Sequence, residues 1–122
     1  MSEIVRIVTN PRRGRAVVHN QTVFIGGQVA NDRGQDIRGQ TRQVLGRIDQ
    51  ILAEAGSDRT RLLAAQVWLS DLARDFAGMN EVWDDWIEPA NAPARVTVGA
   101  RLGAPGGLIE VVVTAATAHT TV

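Results

Sequence analysis

Arg95 and Glu110 are the two residues of this 122-residue chain whose type and setting suit chemistry. Each stands inside a run rich in β-branched residues, Ala94 to Ala100 and Leu108 to Thr117, where a charge is either exposed at an edge or set on a face with a use for it. If the two runs form a hairpin centred near Pro105, Gly99 opposes Glu110, and Glu110 shares a face with Arg95, Thr97, Gly99 and Arg101. Two readings are open. In one, Glu110 forms a cross-strand ion pair with Arg101 or Arg95. In the other, Arg95 presents its planar fork to a substrate carboxylate through two parallel charge-assisted hydrogen bonds, while Glu110 orients a water or moves a proton. Gly99 in mid-strand would leave room for the ligand.

Other chemistry is largely excluded by composition. All 13 basic residues are arginine, and there is no lysine, tyrosine or cysteine. That rules out Schiff-base lysine chemistry, a phenolic acid or base, a catalytic thiol, disulfides and thiolate metal sites. No phosphate loop, metal-ligand spacing or nucleophilic serine motif is present, so neither a metal nor a cofactor is expected. His19 and His119 lack the neighbours a triad or metal site needs and read as structural or exposed. Asp84 and Asp85, with Glu81 and Glu88, read as the solvated side of a helix. The 13 acidic residues balance the 13 basic ones, which removes any general attraction to nucleic acid or membrane. Arg12, Arg13 and Arg15 form a local basic cluster, read as solvated in preference to a polyanion site. The N-terminal segment lacks a signal-peptide core and no apolar run approaches the ~18 residues of a membrane span, so a soluble cytoplasmic protein is expected.

The elements that must position these residues are legible in outline. Ile4 to Val8, Ala16 to His19 and Thr22 to Ile25 read as strands, with a tight turn at Asn20-Gln21. Ile37, Thr41, Val44, Leu45, Ile48, Ile51, Leu52 and Ala55 recur at helical spacing, and Gly56 supplies the stop. Leu62 to Leu69 has the length and composition of a largely buried strand. Asp71 caps a second helix carrying Phe76, Met79, Trp83 and Trp86 or Ile87 on one face and ending near Pro89. Two more strands follow, joined through Gly103-Ala104-Pro105-Gly106-Gly107.

The order predicts one domain spanning residues 1–122, of α+β class, with both helices on one face of a mixed sheet. The other face then needs a partner. Along the fifth strand Val96, Val98 and Ala100 point one way, and Arg95, Thr97, Gly99 and Arg101 the other. A face bearing Thr, Gly and Arg is too polar for a monomer core, so an oligomer with semi-polar pockets between subunits is expected.

Four segments in order, Gly27-Gln28, Phe76-Ala77-Gly78-Met79-Asn80-Glu81-Val82-Trp83, Pro93-Ala94-Arg95 and Ile109-Glu110-Val111, resemble the YjgF/RidA family of reactive-intermediate deaminases. The resemblance runs from about Asn10 to Ala118. It implies a chorismate-mutase-like fold, with two helices on one face of a six-stranded sheet, and a homotrimer with sites between subunits. It further implies hydrolysis of 2-imino and enamine acids, released by pyridoxal-phosphate enzymes, to 2-keto acids and ammonia. On that basis Arg95 pairs with the substrate carboxylate, Glu110 positions the attacking water, and Asn80, Thr97 and Gly26 lie at the substrate. The family's pocket tyrosine has no counterpart, since the segment reads Arg13-Gly14-Arg15-Ala16, and its serine before Gly-Gln is Gly26.

The expected ligand is therefore a small 2-imino or 2-keto acid. The alternative function is a non-catalytic trimer that binds small carboxylates as a sensor or regulator. An endoribonuclease label carried by some relatives finds little support in a chain with no lysine, no net charge and no aromatic platform among basic residues.

Overall fold

The computed structural model describes residues 3–118. Three strands, β1 (Val5–Thr9), β2 (Gly14–His19) and β3 (Thr22–Gln28), precede helix α1 (Ile37–Glu54). Strand β4 (Leu62–Leu69), helix α2 (Leu72–Trp86) and strands β5 (Ala94–Gly99) and β6 (Ile109–Ala116) complete the chain. The strands form one mixed sheet in the order β1-β2-β3-β6-β4-β5, in which only β4 and β5 run parallel.

Local chemistry sets most boundaries where the sequence predicts them. Asn20 and Gln21 both adopt positive φ, 51° and 65°, which matches the twist of the hairpin they close between β2 and β3. Asp36 caps α1 by accepting from the Gly39 backbone N–H at 3.0 Å, and Asp71 caps α2 by accepting from that of Arg74 at 3.1 Å. Gly56, at φ 78°, ends α1 in the left-handed conformation glycine tolerates.

The core lies between the helices and one sheet face. Val44, Ile48, Ile51 and Leu52 of α1 and Met79 of α2 are fully buried against Val67, Leu69, Val111 and Val113. Each such aliphatic side chain contributes about 1.5–3 kcal/mol. Phe76, expected on the buried face of α2, is 43% exposed instead. Burial in β4 also alternates rather than running continuous: Ala65, Val67 and Leu69 are buried, whereas Ala64 and Gln66 are exposed.

The expected hairpin of the last two strands does not form. β4 lies between them, pairing in parallel with β5 and antiparallel with β6. The Gly-Pro segment is a bridge over the end of β4, because β4 has two partners to satisfy and the bridge is long enough to leave it room. Buried Gln40 holds that bridge, donating to the carbonyls of Arg33, Gln35 and Gly106 and accepting from the Leu108 N–H at 2.9 Å.

This changes which residues share a face. Arg95, Thr97 and Gly99 pair with Ala65, Val67 and Leu69, whose side chains are buried beneath the helices. Glu110 pairs with Trp68, whose β5 neighbour is Val98, on the opposite face. Arg95 and Glu110 of one chain therefore stand on opposite faces, not together. The uncovered face is also more apolar than expected: Phe24, Val96 and Val98 are 50%, 49% and 39% exposed there.

Candidate active site

Arg95 projects from β5, the border strand, towards α2. Its guanidinium carbon lies 5.0 Å from the centre of the Trp83 ring, and Nη1 donates to Met79 Sδ at 3.8 Å. No carboxylate pairs with it among the described residues. Burial lowers its pKa from the ordinary arginine value, an effect that Asp84 partly offsets. An arginine so placed stays charged at neutral pH, so a cation is held on an aromatic face with its fork unclaimed.

Thr97 follows on the same face, about 6.6 Å along the strand at the usual rise. Its Oγ1 is buried without a hydrogen-bond partner. Asn80 is half-buried on α2, between Met79 and Trp83 in sequence. Gly99 serves a different purpose from the one expected. A Cβ there would approach Leu72 Cβ to 3.3 Å, so the space belongs to the first turn of α2 and not to a ligand.

Glu110 stands on the other face in a cavity of about 240 Å³ lined by Trp68, Arg101, Leu102 and Val112 among others. Its seat depends on Gly27. A Cβ at that position would overlap the Glu110 carboxylate, so a larger residue there would push the carboxylate out of its present place. Gly26 and Gly27 form a bulge in β3, between the pairs Ile25 with Val113 and Gln28 with Val111. The anticipated ion pair is absent: Arg101 shares the cavity without bonding to Glu110, and Arg95 lies across the sheet. Gly26 approaches β2 closely, with its Cβ position 3.3 Å from the Gly14 carbonyl oxygen.

The structure thus sets Arg95 and Thr97 on the sheet face beneath α2, the helix that also carries Asn80, and Glu110 on the other face against Gly27, with Gly26 turned to β2. Trp83 and Met79 were visible in sequence only as a helix face; their spacing of four residues was the available signal that they could floor a cation. The role of Gly27 had no signal of its own, since the doublet Gly26-Gly27 does not reveal which strand crosses it. His119 lies outside the described residues.

Known proteins place this arrangement. Residues 6–117 match the family described as Endoribonuclease L-PSP. A RutC family protein of Haemophilus ducreyi is 40% identical over 116 residues, covering 95% of this chain and 98% of its own length. A solved structure from Neisseria meningitidis, described as a member of the YjgF protein family, superposes with a TM-score of 0.92 at 39% identity, covering 97% of this chain and 98% of that one. A goat protein named 2-iminobutanoate/2-iminopropanoate deaminase is 30% identical over 125 residues, covering 91% of this chain and 90% of its own. With two helices on one face of the six-stranded sheet and these likenesses spanning nearly its whole length, the chain belongs to the YjgF/RidA family, which is also named RutC.

Proposed function

We propose that the chain hydrolyses 2-imino acids and their enamine tautomers to 2-keto acids and ammonia, at sites assembled between copies in a homotrimer. The observation that carries this reading is Arg95, a cation stacked on Trp83 with no acidic partner among the described residues. Its fork suits a substrate carboxylate, and the orphan hydroxyl of Thr97 suits a further polar atom beside it. The goat deaminase is the named relative whose chemistry fits.

Opposite faces prevent Arg95 and Glu110 of one chain from sharing a substrate. The apolar uncovered face, with Phe24, Val96 and Val98 exposed, supplies the reason for copies to associate. The border strand β5 would then bring Arg95 of one copy towards Glu110 of the next.

In such a cleft Arg95 fixes the carboxylate and so aims C2 of the imine at the Glu110 carboxylate. Glu110 accepts a proton from a water whose oxygen bonds to C2 as the C=N π pair moves to nitrogen, and returns that proton to nitrogen, giving a carbinolamine. Glu110 then takes the carbinolamine hydroxyl proton and passes it to nitrogen as C=O forms and the C–N bond breaks, so that ammonia leaves the 2-keto acid. Water attacks imines readily, so orientation and one base supply the help required.

The test couples the protein to a dehydratase that releases 2-iminobutanoate and follows semicarbazone formation. The wild-type chain should clear the imine and Arg95→Ala should not. Equal clearance by both removes Arg95 from the site. Saturable 2-ketobutyrate binding without clearance favours the sensor reading. Sedimentation at micromolar concentration should give three times the chain mass, and a monomer contradicts the shared site.

A further inference from the structure

An arginine on a border strand with no carboxylate to bind is expected to wander, because its long side chain gives up much rotamer freedom when held still. Arg95 is held nonetheless. Its guanidinium carbon sits 5.0 Å from the centre of the Trp83 ring, and Nη1 donates to Met79 Sδ at 3.8 Å. Both supports are themselves fixed. Met79 and Trp83 are buried, and the Trp83 ring leans on that of Trp86, with centres 5.5 Å apart and planes tilted by 55°. Trp86 in turn donates from Nε1 to Asp49 at 3.0 Å.

Trp83 covers one side of the guanidinium and Met79 engages Nη1, so the edge carrying Nε and Nη2 has no hydrogen-bond partner among the described residues. Elsewhere in the chain that same edge takes carboxylates. Arg38 gives Nε and Nη2 to Glu81 at 2.7 and 2.9 Å, Arg59 gives them to Asp49 at 3.1 and 2.7 Å, and Arg74 to Asp75 at 3.0 and 2.8 Å. Two parallel N–H bonds match the two oxygens of a carboxylate. One acid competes for Arg95. Asp84, next to Trp83 on α2, is the carboxylate whose charge Arg95 feels, yet the two form no ion pair.

We propose that Trp83 is a positioning residue of this site: its ring keeps the Arg95 guanidinium off Asp84 and leaves the edge with Nε and Nη2 open for the substrate carboxylate. This role rests on the reading that Arg95 receives that carboxylate. The indole face attracts the cation without competing for its N–H groups, which an acidic neighbour would occupy. A stacked arginine has also given up its rotamer freedom before the substrate arrives, so binding does not have to restrain it. Trp83 acts through Arg95, and its loss should therefore fall on substrate affinity and spare the chemical step.

Calorimetric titration of the full chain with 2-ketobutyrate, alongside the clearance assay, tests this role. Trp83→Leu should weaken binding and raise KM roughly two- to tenfold, the effect of freeing one long side chain, with kcat within about twofold of the wild type. Trp83→Phe, which keeps a smaller ring, should lose less. Adding Asp84→Asn to Trp83→Leu should restore part of the lost affinity, because the freed guanidinium then has no acid to turn to. Arg59→Ala should bind as the wild type does although it loses stability through Asp49, so destabilisation alone does not imitate the effect. Wild-type affinity in Trp83→Leu, or in Trp83→Phe should the leucine variant not fold, overturns the proposal. So does a fall in kcat at unchanged KM, or a loss in Trp83→Leu that Asp84→Asn leaves as it was. Weak binding in Arg95→Ala beside wild-type binding in Trp83→Leu removes only the role of Trp83, whereas wild-type binding in Arg95→Ala removes the carboxylate reading beneath it.

Discussion

Two arginines lie against neighbouring tryptophans of α2, and they differ in one respect. Arg59, between α1 and β4, stacks 5.1 Å from the centre of the Trp86 ring, and Arg95 stacks 5.0 Å from that of Trp83; the two rings are 5.5 Å apart. Arg59 is fully engaged. It donates to both Asp49 oxygens at 3.1 and 2.7 Å and to the Trp86 carbonyl at 2.9 Å, while Trp86 Nε1 donates to the same Asp49 at 3.0 Å. Arg95 has, among the described residues, only Met79 Sδ at 3.8 Å as a hydrogen-bond partner. Stacking on tryptophan is common to both, so it does not distinguish a staple from a binding group. The carboxylate does: Arg59 brings its own from α1, and Arg95 stands where a ligand would bring one.

Exchanging the two roles is the most severe test. Arg95→Ala should lower kcat/KM for imine clearance roughly 100-fold or more, the loss expected for two charge-assisted hydrogen bonds, with little change in melting temperature. Arg59→Ala should do the reverse, losing about 1–2 kcal/mol of stability, moderated by partial exposure of the pair, with clearance retained. If Arg95→Ala destabilises the fold as Arg59→Ala does, the distinction fails.

Glu110→Gln should lower kcat about 100-fold while leaving 2-ketobutyrate binding within a few-fold, and Gly27→Ala should approach the same loss by crowding an unaltered carboxylate. Wild-type kcat in Gly27→Ala would show that Glu110 works from another position. Thr97→Val removes the orphan hydroxyl beside Arg95; denaturant titration should show a gain of about 1 kcal/mol, with a several-fold rise in KM. Unchanged KM would take Thr97 out of the ligand's reach.

The smallest effect concerns a third arginine fork. Arg38 on α1 bonds both Glu81 oxygens on α2, at 2.7 and 2.9 Å, and holds that carboxyl below its ordinary range. A carboxyl with a lowered folded-state pKa contributes stability above its unfolded pKa and loses it as pH falls through the folded one. Glu81→Gln should flatten the acid side of the melting-temperature profile slightly, and leave clearance unchanged at neutral pH.

Much of this architecture can be read from residues that act on their immediate neighbours. Asp36 and Asp71 cap within three residues, Asn20 and Gln21 turn the chain on the spot, and the spacing of Val44, Ile48, Ile51 and Leu52 marks a helix face without reference to the rest. The arrangement of β5 and β6 depends on a distant strand. A run of β-branched residues does not say which strand lies beside it, and assuming the nearest neighbour in sequence placed Glu110 opposite Gly99 instead of Trp68. That single choice of partner moved Glu110 onto the face of Arg95. Arg95 was recognisable as a charge needing a purpose, but whether an acid meets it is decided by α2 and β4.

The central place of β6 also bears on how the chain folds. β1, β2 and β3 form a continuous antiparallel series and β4 and β5 a parallel pair, and the two groups touch in the sheet only through β6. Without β6 in place, β3 and β4 would each present an unpaired edge, and the apolar layer between sheet and helices would stay open. Placing β6 therefore covers two sticky edges at once. The sheet closes in one long-range step, the slow kind of folding event.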